Sequence, residues 1–158
     1  MKKIIVLSIL VFAFSYGFSQ NILYRYYNGK IKKHYYTINF NEYGNGVNGW
    51  VLEGPACVVY NYEDKQRGIV PFFRYFNAQT GDHYYTIHRR RLDQEMPGYV
   101  AEGPACFVTR VPNANLVPLW EYYNPYTRDH FYTVNQSELG RGFDGYALVG
   151  TAAYVSVR

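Results

Sequence analysis

The chain has 158 residues, 20% of them aromatic and 18% charged, with a formal net charge of +4. That length suits one domain able to bury a core without metals or many disulfides. Two of the positive charges, Lys2 and Lys3, lie in the leader described next, so the remainder carries about +2, and its only dense basic run, Arg89-Arg90-Arg91, reads as a solvated loop. A nucleic-acid footprint is not expected.

Residues 1–19 read as a secretory signal peptide. Lys2 and Lys3 form a basic start, residues 4–14 are apolar except for Ser8, and Gly17 and Ser19 stand at −3 and −1 of a cut before Gln20. The apolar stretch is too short and wrongly flanked for a spanning helix, and no second such run follows. The expected location is therefore secreted or periplasmic, with no membrane insertion of the mature chain. The expected domain is a single β domain over residues 20–158.

Three copies of one pattern fill that domain, over residues 23–59, 72–108 and 119–155. Each opens on an aromatic-rich block that holds one Asn and, six residues later, one His: Asn28 and His34, Asn77 and His83, Asn124 and His130. Fifteen residues after each His comes a Gly that starts a second block, at Gly49, Gly98 and Gly145. Fixed spacing implies one shared backbone course, so a threefold repeat is the architecture to test first.

Within a copy, the aromatic and β-branched runs at residues 23–27 and 34–38 favour strands joined as a hairpin. The loop between them begins with Asn, whose side chain bonds the backbone two residues on, and in one copy continues with Pro125. The second block predicts two further strands per copy, residues 50–53 and 56–59 in the first, separated by Gly54-Pro55 because Pro cannot donate to a central ladder. Four strands in each of three copies make twelve, the count of a β-trefoil. The expected fold is thus all-β and β-trefoil-like, with three pseudo-symmetric four-stranded repeats. Another closed three-repeat architecture, such as a small propeller, is the alternative. The 19 tyrosines are expected mainly to fill this core, since they alternate within the strands.

Cys57 and Cys106 share one repeat position, filled by Ala153 in the third copy. An exported chain favours a disulfide between them, while the small residues around them suit two buried thiols; both readings stand. The three histidines, if they converged on an axis, would make a His₃ zinc site. Symmetry repeats any residue three times, however, so they count as one observation, and a structural role in each hairpin is the preferred reading; no metal and no cofactor are expected. Nucleophile-elbow, zinc-protease and phosphate-loop motifs are absent from the sequence, so an enzyme is not expected.

Carbohydrate recognition needs an exposed aromatic beside planar polar groups. The hairpin loops of copies two and three offer Asn77, Asp82, His83 and Tyr84, and Asn124, Tyr126, Asp129, His130 and Phe131. Copy one departs, with Lys33 where the others have Asp. The blocks Tyr-Asn-x-x-Thr-x-Asp-His-Phe-Tyr-Thr and Gly-Tyr-x-x-x-Gly-x-Ala-x-Val resemble the domain of unknown function 5648, over nearly all of the mature chain. That resemblance implies a secreted, lectin-like accessory or binding domain and brings no catalytic residues. The functional expectation is a non-catalytic module that binds glycan or cell-envelope polysaccharide. A protein-interaction or inhibitor module, using the linker at residues 60–70, is the alternative, and a small hydrolase ranks last.

Overall fold

A computed structural model describes residues 20–89 and 96–157; the expected signal peptide, Arg90 and Arg91 lie outside the described residues. The fold is all-β. Among the described residues nine strands run β1 (Gln20–Asn28), β2 (Lys33–Thr37), β3 (Trp50–Tyr60), β4 (Ile69–Asn77), β5 (Asp82–Thr86), β6 (Tyr99–Thr109), β7 (Val117–Asn124), β8 (Asp129–Thr133) and β9 (Ala147–Val155). They form one antiparallel sheet whose path, β2-β1-β3-β6-β9-β7-β8 with β5-β4 branching from β6, is open.

The same pairing occurs three times: β2-β1-β3, β5-β4-β6 and β8-β7-β9, termed here units one, two and three. Short contacts link the units at the ends of their long strands, Tyr60 to Phe107, Thr109 to Tyr154 and Val58 to Ser156.

Nine strands correct the expected twelve, and the open path corrects the closed trefoil barrel. The reason lies at the Gly-Pro pairs. β3 continues through Gly54-Pro55, and its register with β1 slips twice, leaving Glu53 and Ala56 with no counterpart. A bulge needs no ladder donor from proline, so Pro55 bends the strand without ending it. β6 and β9 slip at the equivalent places, around Glu102 and Ala105 and around Val149 and Ala152. These bulges place Glu53, Glu102 and Val149 against the preceding hairpins.

The turn chemistry accounts for the fixed Asn-to-Gly spacing. Asn124 Oδ1 accepts from the backbone of Tyr126 and Thr127, and its Nδ2 donates to the Asp144 carbonyl at 3.0 Å. A Cβ on Gly145 would sit 2.9 Å from that Nδ2, at a φ of 84° that disfavours any side chain. The pairs Asn28–Gly49 and Asn77–Gly98 repeat this packing.

The main core uses four positions, each filled once per unit: Leu23, Phe72 and Leu119; Tyr36, Tyr85 and Tyr132; Cys57, Cys106 and Ala153; Val59, Val108 and Val155. The three tyrosines form a ring. The Tyr85 hydroxyl accepts from the Tyr36 amide and donates to the Tyr36 carbonyl, and Tyr132 does the same for Tyr85. Tyr36 closes the cycle on Tyr132, and all three rings meet edge-on at centroid distances of 5.5 Å. Each hydroxyl thereby satisfies both polar groups of a strand residue that has no neighbouring strand on that side.

Of the two readings, the structure has Cys57 and Cys106 free and buried in this core. They pack at the level of Ala153 as small apolar groups, and burial pushes the Cys57 thiol up to about 12.

Candidate functional site

The candidate site emerges from comparing the three boundaries between units. At the boundary of units one and three, the Asp129 carboxylate accepts from the His34 ring at 2.6 Å, from the His34 amide at 2.8 Å and from the Tyr146 hydroxyl at 2.5 Å. Arg25 pairs with Glu53 at 2.7 Å and Glu138 at 3.1 Å, and its guanidinium lies 4.7 Å from the centre of the Phe131 ring. The boundary is closed by packing, charge and a cation–π contact.

The boundary of units two and one keeps the arginine. Arg74 pairs with Glu102 at 2.6 Å and lies 4.9 Å over the Tyr35 ring. The carboxylate is lost, because Lys33 occupies the position of Asp82 and Asp129 and Trp50 that of Tyr99 and Tyr146. The two departures belong together: without the carboxylate, the tyrosine hydroxyl has no acceptor. Trp50 instead packs on Tyr35 and Tyr43, and buried Lys33 donates to the carbonyls of Thr127 at 2.5 Å and Arg128 at 2.6 Å.

His83 is left with Nδ1 buried and without a hydrogen-bond partner among the described residues. Burial, helped by the nearby Arg74 charge, lowers its pKa to about 4. A neutral imidazole in the fold and an ordinary one near 6.5 in the unfolded chain mean that the unfolded state takes the proton first as pH falls. The His83 contribution is thus complete above about pH 6.5 and drains away by about pH 4, a loss of up to about 3 kcal/mol. Urea unfolding at neutral and mildly acidic pH should show this loss, and His83→Phe should flatten the difference.

The boundary of units three and two reverses the pattern. The carboxylate is back: Asp82 accepts from the His130 ring at 2.7 Å, the His130 amide at 3.1 Å and the Tyr99 hydroxyl at 2.5 Å. Burial opposes its charge, but the bonds from His130 and Tyr99 outweigh that and hold the Asp82 carboxyl below its usual range. The arginine position, however, holds Glu121, and the Glu53 position holds Val149. A cavity of about 450 Å³ opens here, lined by Tyr84, Met96, Pro97, Tyr99, Glu121, Tyr123, His130 and Val149. His130 lies between Tyr84 and Tyr123 at centroid distances of 4.8 and 4.6 Å, its ring tilted by 52° and 38° to theirs, with Nε2 4.0 Å from Glu121. Three tyrosine rings, an imidazole and a carboxylate around one opening can hold a small polar ring by its faces and hydroxyls.

Of the residues singled out in the sequence, Tyr84 and His130 line this cavity. Asn77 and Asn124 are buried and bond their own turns, while Asp82 and Asp129, both at 0% exposure, are committed to His130 and His34. His83 and Phe131 are buried at the other two boundaries, and Tyr126 stands apart at 88% exposure. Among the described residues, no three metal-ligating side chains cluster. The lining residues missed were Met96, Pro97, Tyr99, Glu121, Tyr123 and Val149. For two of them the signal was present as the repeat's own exceptions, Glu121 against Arg25 and Arg74, and Val149 against Glu53 and Glu102.

One strand pairing met three times around a tyrosine ring, with one boundary opened into a cavity, places the chain among small all-β domains. The chain belongs to the family described as Domain of unknown function (DUF5648), whose model matches residues 22–156. No curated protein and no solved structure matches the chain.

Proposed function

We propose that this is an exported, non-catalytic domain that binds a glycan unit in the cavity between units three and two. The observation that carries the reading is the exchange of an arginine–glutamate pair for Glu121 and Val149 at this boundary, with tyrosines left around the opening. A pyranose offers apolar ring faces for Tyr84 and Tyr123 and hydroxyls for Glu121 and His130. The buried Asp82 fixes the His130 ring from behind, so the imidazole edge is held in place before any ligand arrives. Export rests on the leader sequence; among the described residues no helix is long and apolar enough to cross a membrane.

We read the three units as blades about the tyrosine ring, a small propeller-like arrangement supported by the cyclic bonds of Tyr36, Tyr85 and Tyr132. A second reading, protein contact through the linker after β3, draws support from a groove of about 630 Å³ lined by Glu63, Lys65, Phe73 and Arg110. Titration calorimetry with mono- and oligosaccharides separates the two. The glycan reading expects Tyr123→Ala and Glu121→Gln each to weaken binding about tenfold, close to 1.4 kcal/mol. Unchanged affinity in both variants would move the site elsewhere.

A further inference from the structure

We propose that the tips of the three hairpins form a second site, separate from the cavity, that docks an acidic polysaccharide. The tips meet one another. Gly81 of the second hairpin lies against Ile31 and Lys33 of the first, and Lys33 reaches across to the carbonyls of Thr127 and Arg128 in the third. On the shared outer surface Lys30, Lys32 and Arg128 are exposed, together with Ile31 and Tyr126.

The charge there is one-sided. The loops contain two carboxylates, Asp82 and Asp129, and both are fully buried and face His130 and His34. Exposed acids stand at the base of the hairpins rather than in the loops: Asp144 beside Asn124, and Glu53 beside His34. None of the ion pairs among the described residues involves Lys30, Lys32 or Arg128. Buried Lys33 lies beneath them, bonded to two backbone carbonyls and balanced by the buried Asp82 and Asp129 charges, so the outward-facing charge is that of Lys30, Lys32 and Arg128.

The backbone gives a second, independent indication. Lys32 and Arg128 adopt the left-handed conformation at φ 54°, where the equivalent residue of the second hairpin is Gly81 at φ 71°. Glycine takes this conformation freely, whereas a long side chain there is strained. Two of three copies therefore keep a cation where the fold favours glycine, and no described contact of the side chain compensates. Exposed cations beside one bare tyrosine ring suit an extended chain of acidic sugars: carboxylates meet the cations and a ring face meets Tyr126.

The test uses the mature chain and sodium polygalacturonate, with neutral dextran and vesicles of anionic lipid as comparisons. The combined variant Lys30→Ala, Lys32→Gly, Arg128→Gly removes the charge, and its two glycines copy a residue the fold already accepts, so its Tm should be unchanged or higher. Polygalacturonate should bind the parent, weaken at least tenfold in the variant, and weaken likewise between about 50 and 300 mM salt. Equal binding by parent and triple variant overturns the proposal, as does equal binding of dextran. Tighter binding to the vesicles than to polygalacturonate would reassign the surface to a membrane and overturns it too.

Discussion

Replacing Tyr85 by Phe should remove about 2–4 kcal/mol of stability, although it deletes a single oxygen atom. The hydroxyl is the partner of both the amide and the carbonyl of Tyr36. Its loss leaves two buried backbone groups without a bond, each worth about 1–3 kcal/mol. The hydrophobic area barely changes, so the effect is a measure of the polar ring alone. Tyr36→Phe and Tyr132→Phe should behave alike, because the three hydroxyls act in a cycle. Tyr126→Phe, on an exposed ring, should be neutral within about 0.5 kcal/mol. Urea unfolding measures all four. A ring variant as mild as the Tyr126 variant would show that the hydroxyls do not hold the strand edges.

Asp129→Ala should be still more damaging, by about 3–5 kcal/mol. One buried carboxylate accepts from the His34 ring, the His34 amide and the Tyr146 hydroxyl, so removing it strands three donors at once. Asp129→Asn keeps the shape and one acceptor oxygen and should recover part of the loss. Tyr146→Phe in the Asp129→Ala background should also recover stability, since it removes a donor that no longer has an acceptor. Unit one already shows that combination in natural form: Lys33 stands in place of the aspartate, and Trp50 in place of the tyrosine. Failure of the double variant to improve on the single would mean that the hydroxyl finds another partner.

The repeats, the hairpins and the all-β class were legible in the sequence because they rest on local rules: aromatic runs, Asn-led turns and constant spacing. The long third strand was not. Gly54-Pro55 reads as a break when each strand is considered alone, and only the register against β1 turns it into a bulge. The same limit applies to the site. Asn77, Asp82, Asn124 and Asp129 looked like ligand groups because they are polar and sit in loops. Whether such a group faces solvent or a histidine of the next unit depends on packing between units, which no single copy contains. The cavity was legible in principle, through the departures at Glu121 and Val149. Reading it required knowing that Arg25 pairs with Glu53 and Arg74 with Glu102, so that a change at one position bears on the other.

The cavity also explains why unequal repeats matter more than the symmetric ones. Equivalent residues that are apolar or aromatic in all three copies build the core and the tyrosine ring. Residues that differ decide which boundary is closed by an arginine and which is left open.

The most direct test of the binding claim is an NMR titration of the mature domain with the oligosaccharide that ranks first on a glycan array. Saturable shifts are expected in the Tyr84, Tyr99, Tyr123 and His130 ring signals, with the Tyr35 and Phe131 rings at the arginine-closed boundaries unmoved. A blank array, or shifts confined to the linker groove around Lys65 and Arg110, would contradict the binding claim.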